Sequence, residues 1–208
     1  MRLREGVLAG LLGATVAGAE EIAHFPAAVD PGCRGGIANL YDECGSQFDV
    51  LAAAEAEAAR TGRVLLVIYG AEWCIWCHVL SAHLEGQAGV FSYRFEGQAA
   101  MLVEGAGLDR AAAEALRAYV AETFVIAHIE GEHAHDGDFV LEELGAWGAY
   151  ENWIPFAFTM REGRFAAALG LQEGAEDLLI RRDGVLWYRG YRRDVLMKAL
   201  RRMEAAAR

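Results

Sequence analysis

Val64-Leu-Leu-Val-Ile-Tyr-Gly-Ala-Glu-Trp-Cys-Ile-Trp-Cys77 is the stretch on which the reading of this chain turns. Val64 to Tyr69 is an unbroken apolar run rich in branched side chains, which fits a strand buried on both faces. Cys77 to Glu85 then carries Val79, Leu80 and Leu84 at helical spacing, and Gly86 stops it. Cys74 and Cys77 therefore fall where a buried strand ends and a helix begins. Two thiols at i and i+3 on a first helical turn share a face and lie close enough to form a small-ring disulfide. The helix N-terminus favours a thiolate there. Cys74, at the exposed edge, is the expected nucleophile, and Cys77, one turn in, the residue that resolves a mixed disulfide.

Working outward, Ser46 to Arg60 reads as a helix with Ser46 as its cap, Asp49 in a capping-box-like position and Gly62 as its stop. After Gly86 the pattern weakens. A hairpin of Val90 to Phe95 and Ala99 to Val103 around Glu96-Gly97 is expected, forming an insertion. Asp109 opens an alanine-rich helix to about Glu122, and Phe124 to Ile129 is a second buried strand. Strand, helix, strand in that order implies a parallel crossover and an α/β class. Asp138 is placed as the cap of a helix running through Leu141, Leu144 and Trp147 toward Ile154-Pro155. Phe156 to Met160 and Phe165 to Leu169 then form a hairpin around Arg161-Glu162-Gly163. A second hairpin joins Leu178 to Ile180 with Val185 to Tyr188, and an amphipathic helix runs from Asp194. Trp147, Tyr150 and Trp153 read as packing residues.

The 208 residues carry 19 Lys+Arg against 30 Asp+Glu, a formal charge of −11. That balance argues against nucleic acid and against an anionic membrane surface. With 54% hydrophobic residues the chain can bury a core. Arg2 and Arg4 precede an apolar run, Gly6 to Ala19, too short for a membrane span and ending in Ala17-Gly18-Ala19. This reads as a cleaved secretory signal rather than a packed helix, for which Gly6, Gly10, Gly13 and Gly18 are poor residues. The expected organisation is thus a signal over 1–19, an N-terminal extension over 20–45 and one domain over 46–208. Localisation is expected to be periplasmic or secreted, with no stable membrane insertion after signal cleavage. In such an oxidising compartment Cys33 and Cys44 are expected to close a structural disulfide.

Trp73-Cys74-Ile75-Trp76-Cys77, the strand before it, Trp153-Ile154-Pro155 ahead of a hairpin and the C-terminal helix together resemble the thioredoxin superfamily, in particular its secreted members. The resemblance covers about Phe48 to Arg202. It implies a thioredoxin-like fold: a central mixed sheet flanked by helices, with an inserted segment after the active-site helix. It implies a thiol:disulfide oxidoreductase with Cys74 and Cys77 catalytic, no cofactor, and a protein thiol or disulfide as substrate alongside a redox partner protein. Trp73, Ile75, Trp76, Ile154 and Pro155 become the expected substrate-binding residues. The family's proline before the hairpin is cis and packs on the cysteine pair, which makes Pro155 its counterpart. A rival placement takes Gly170 to Gly184 as that loop and hairpin and sets Ala175 there. Two departures stand out. The buried Asp that the family's prototypes carry six residues before the first cysteine is replaced by Ile68, leaving Glu72 as the nearby carboxylate, and Ile75-Trp76 stands for the prototype Gly-Pro. Redox potential depends on these residues.

Other readings of the same residues remain open. Cys74-x-x-Cys77-His78 is also the attachment motif of a c-type haem, with His78 as iron ligand. The same three residues can serve a metal carrier, the pair can be two structural cysteines in a helix, and the chain can be a non-catalytic thioredoxin-fold module that binds a partner. Cys33 and Cys44 can be a second redox pair. His128, His133 and His135, with Glu130, Glu132 and Asp136, have the composition of a metal site but match no fixed ligand spacing.

Overall fold

A computed structural model describes residues 21–30, 32–35, 38–88, 90–93, 101–104, 110–170, 173–174, 180–182, 185–188 and 190–208. The expected signal, the Glu96-Gly97 turn and Ala175 lie outside the described residues. In chain order the elements are β1 (Ala23–Phe25), α1 (Gln47–Thr61), β2 (Val64–Gly70), α2 (Ile75–Leu84), β3 (Val90–Tyr93), β4 (Met101–Glu104), α3 (Arg110–Thr123) and β5 (Phe124–Glu130). They continue with α4 (Gly137–Glu143), β6 (Phe156–Arg161), β7 (Arg164–Ala168), β8 (Ile180–Arg182), β9 (Val185–Tyr188) and α5 (Arg193–Ala207).

The class is α/β. A five-stranded mixed sheet runs β1-β5-β2-β6-β7, with β1, β5 and β2 parallel and β6 and β7 antiparallel. β2 and β5 are buried along their whole length, as their unbroken apolar runs require. Alternate residues serve opposite faces. Leu66, Ile68 and Ile126 pack with Val79 and Leu80 of α2, Leu116 and Val120 of α3, and Leu196 and Leu200 of α5. Leu65, Val67, Val125 and Ala127 pack with Val50 and Leu51 of α1 and Val140 and Leu141 of α4 on the other side. Helices thus cover both faces of the sheet. Among the described residues no helix is long and apolar enough to cross a membrane.

The fold departs from the sequence reading in its N-terminal segment, its hairpins, α4 and two tryptophans. The sequence places 20–45 as an extension ahead of the domain, and β1 within it adds a strand to the sheet by pairing with β5 at Ala23↔Val125. The hairpin signals at 90–103 and 178–188 imply two separate hairpins, but β4 pairs with β9, so both join a second, four-stranded sheet ordered β3-β4-β9-β8. Asp138 does not cap α4. Asp136 holds the cap position, with no side-chain bond to α4, and α4 stops at Glu143, followed by Gly145 at φ 68°. Only a 3-10 turn, Trp147–Ala149, continues toward Ile154. The Asp136 carboxylate instead accepts from the Ser46 hydroxyl at 2.8 Å and the Gln47 N–H, tying the start of α1 to this loop. Finally, Trp147 and Trp153 are exposed, whereas Tyr150 packs between Tyr69 and Phe156 as expected.

Candidate active site

The parallel strands end at one edge of the sheet, and the cysteine pair stands there. β2 runs out at Gly70, and Cys74 is the N-cap of α2, with backbone φ −77° and ψ 102°. Its sulfur accepts the Cys77 N–H at 3.3 Å, the service a polar cap side chain gives to a helix start. The register Tyr69↔Phe156 sets the beginning of β6 beside the end of β2, so the residues just before β6 reach the same edge. The Ile154–Pro155 peptide is cis, and the Ile154 carbonyl accepts from the Cys74 thiol at 3.7 Å. Cys74 and Cys77 are both free thiols.

Cys74 was placed on an exposed edge, and here the structure corrects the sequence. Only 4% of Cys74 is exposed and none of Cys77. The cause is the packing of Leu40, Trp76 and Ile154 around a small cluster of Tyr41, Ala71, Cys74 and Cys77. Trp73 and Trp153 provide the exposed apolar surface instead, at 54% and 64%. Trp73 donates its indole N–H to Glu132. Ile75 and Trp76 are half-buried against the core, with Trp76 edge-on to Tyr191. A cavity of about 260 Å³ opens between Tyr69, Trp73, Glu132, Tyr150, Asn152 and Ile154. Trp73 and Ile154 of the expected binding set therefore share a concave surface, while Pro155 lines a separate hollow with Trp153 and Leu169.

Burial pushes the Cys77 thiol well up, with Cys74 adding to the rise. Cys77 thus holds its proton while the Cys74 sulfur receives a backbone N–H. Tyr41, fully buried, is the neighbour that sequence reading did not assign. Its hydroxyl has no hydrogen-bond partner among the described residues apart from the Cys77 thiol beside it. Burial, then the nearby cysteines, drives its own ionisation far above the ordinary range, so it stays a neutral phenol. Tyr41 lies far from Cys74 in sequence, and its one local signal was the Cys33/Cys44 bracket around it.

Glu72 proves to be a clamp. Its carboxylate accepts the N–H groups of Leu40 at 2.9 Å and Tyr41 at 3.0 Å, and pairs with His78 at 3.3 Å. Burial opposes its charge, but the bonds from His78, Tyr41 and Leu40 outweigh it and hold the carboxyl below its usual range. Cys33 and Cys44 are joined in a disulfide with Cα atoms 5.9 Å apart, closing the loop that carries Tyr41.

The residues do not suit a covalently attached haem. Nε2 of His78, the usual iron-bonding atom, is taken up at 2.6 Å by the Glu72 carbonyl. Cys77 lies under Tyr41 with no exposed surface for a thioether. The histidine-rich segment is dispersed as well. His128 is buried within β5, and the Glu130 carboxylate accepts N–H groups of Glu132, His133 and Ala134. His133 faces Glu43 at 3.6 Å. Among the described residues no group of three or more His, Cys, Asp or Glu is arranged to hold a metal.

Compared with protein-family models, with curated proteins and with solved structures, the chain matches none.

Proposed function

We propose that this chain is a thioredoxin-like thiol:disulfide oxidoreductase acting on a protein disulfide or dithiol through Cys74 and Cys77. The observation that carries the reading is the Cys74 thiol as helix cap, in contact with the carbonyl before a cis proline. In this reading the Cys74 thiolate attacks a substrate disulfide and displaces one substrate thiolate. Cys77 then attacks the Cys74 sulfur, forming the internal disulfide and releasing the second substrate thiolate, so that two electrons pass from the pair to the substrate. Running in reverse, the oxidised pair oxidises a substrate dithiol.

The remaining parts have matching roles. Ile154 brings its backbone beside Cys74 just ahead of β6, where a substrate peptide can lie against it, and the adjoining cavity accepts a substrate side chain. Trp73 and Trp153 supply amphipathic contact surface. The Cys33–Cys44 disulfide fits an oxidising compartment, in keeping with a periplasmic or secreted protein.

The deciding experiment is trapping. With a disulfide-bonded peptide, Cys77→Ala should accumulate a mixed disulfide through Cys74, and Cys74→Ala should accumulate none. First alkylation of Cys77 in the reduced protein would reverse the assigned roles. Thiols that exchange no faster than a free cysteine would leave a binding module in place of an enzyme.

A further inference from the structure

The cavity beside Cys74 is walled by aromatic rings and one carboxylate. Tyr69, Trp73 and Tyr150 supply the rings, Ile154 an apolar edge, and Glu132 the charge. Tyr69 and Tyr150 meet edge to face, with centroids 5.2 Å apart and planes at 72°. The Tyr69 hydroxyl donates to the Asp138 carboxylate, which holds the ring in place and makes its face more negative. Trp73 is fastened by its indole N–H to one carboxylate oxygen of Glu132, and among the described residues Glu132 has no cation as partner. The space, about 260 Å³, lies below the roughly 300–1,000 Å³ of sites for drug-sized ligands and suits a single side chain.

The sign of the local field follows from the sequence. No lysine or arginine occurs between Arg63 and Arg94 or between Arg117 and Arg161, the two stretches that supply every lining residue. The second stretch carries Glu130, Glu132, Asp136 and Asp138. Glu130 and Asp136 are spent on backbone N–H groups and the Ser46 hydroxyl, so Glu132 and Asp138 set the charge at the cavity. Burial first, and Asp138 after it, hold Tyr69 and Tyr150 above their ordinary range, as a negative field at both rings requires. Ring faces beside an uncompensated carboxylate attract a cation and repel an anion. Ile154 ties this cavity to the chemistry, because it lines the space and its carbonyl accepts from the Cys74 thiol at 3.7 Å. An extended peptide rises about 3.3 Å per residue, so one whose cysteine reaches Cys74 sets a side chain one or two residues away at the cavity.

We propose that this cavity is a specificity site for a lysine or arginine side chain one or two residues from the reacting cysteine of the substrate, with Tyr69, Trp73 and Tyr150 receiving the side chain and Glu132 pairing its charge. This rests on the oxidoreductase reading and narrows its substrates to disulfides flanked by a basic residue. Arginine suits the site best, since its planar group stacks on aromatic faces and reaches a carboxylate with two N–H groups at once. A cation held there also lies near the sulfurs between which negative charge passes, and it favours the thiolate over the thiol of the substrate cysteine.

The test is the rate of mixed-disulfide formation by the full chain carrying Cys77→Ala, with disulfide-bonded peptides that differ only in having Lys, Arg, Leu or Glu beside the cysteine. The Lys and Arg peptides should react about tenfold faster than the Leu peptide, and the Glu peptide more slowly than it. Glu132→Gln keeps an oxygen to accept the Trp73 N–H and removes only the charge, so the Lys-over-Leu ratio should fall about threefold. Glu142→Gln alters an exposed carboxylate of α4 outside the cavity lining and should keep the ratio, which separates the site from attraction by the net charge of −11. A Lys-over-Leu ratio of one or less, or an equal fall in both variants, would overturn the site while leaving the oxidoreductase reading in place. A chain that forms no mixed disulfide with any of the peptides would overturn both.

Discussion

Gly70 shows how tightly the site is built at the scale of a single residue. A Cβ there would stand 2.5 Å from the Tyr41 hydroxyl and 2.6 Å from the Cys77 sulfur, closer than atoms approach without displacement. Neither neighbour has room to move, because Cys77 is locked in α2 and Tyr41 is held by its backbone N–H to Glu72. Gly70→Ala should therefore destabilise the reduced protein by about 1–3 kcal/mol through overpacking. Gly148→Ala, where nothing lies within 4 Å, is the control and should stay within about 0.5 kcal/mol of wild type. Denaturant midpoints that coincide for the two variants would show that the Tyr41–Cys77 contact yields. The glycine was visible in the sequence, but its reason was not, since the hydroxyl it accommodates comes from a distant loop.

That loop is the element on which the site depends most. Residues 33–44 are closed by the disulfide and pinned by the Glu72 carboxylate at Leu40 and Tyr41. Cross-linking over a sequence separation of 11 removes unfolded-state entropy worth about 3 kcal/mol. Replacing both Cys33 and Cys44 by Ser should lower stability by about 2–3 kcal/mol and speed alkylation of Cys77, because the loop covers it. Unchanged Cys77 protection would mean that Glu72 alone suffices. Elements of this kind resist reading from sequence. α1, β2, β5 and α5 are legible because their apolar period is matched by a face they bury and by local caps such as Ser46 and Gly62. β1 has three residues and no period of its own, and exists because β5 offers an unpaired edge. The far end of α4 was overextended because Leu144 and Trp147 keep helical spacing past Gly145, which breaks the helix through its backbone rather than its side chain. The Cys74/Cys77 pair and Pro155 were legible because each is a local motif. The rings and carboxylate of the cavity were not, since Tyr69, Glu132 and Tyr150 come from β2, the residues after β5 and those before β6.

At the scale of the whole molecule, buried histidines couple the fold to pH. His83 joins α2 to the start of α5: its Nδ1 donates to the Val79 carbonyl at 2.8 Å, and its Nε2 accepts the Tyr191 N–H at 3.3 Å. The bond accepted by Nε2 requires the neutral ring. Burial, with the Arg193 charge adding to it, pulls the pKa down from 6.5 to about 4. His128 is lowered in the same direction by burial and by His24 and His78. A depressed histidine means that between these values the unfolded chain binds a proton that the folded chain refuses. Stability is then full above about pH 6.5 and is lost as pH falls toward 4, by about 1.4 kcal/mol per pH unit for each such histidine. His83 alone contributes a loss on the order of 3 kcal/mol across that window. Glu72, held low, adds to the loss only below its unfolded value of 4.5, while the raised carboxyl of Glu43 runs the opposite way. Denaturant midpoints measured from pH 7.5 to pH 5 should fall with a slope approaching two protons taken up on unfolding, and His83→Gln should remove about one of them. A flat profile would show that these rings are protonated in the folded state, and the bond by which His83 Nε2 joins α2 to the start of α5 would fall with it.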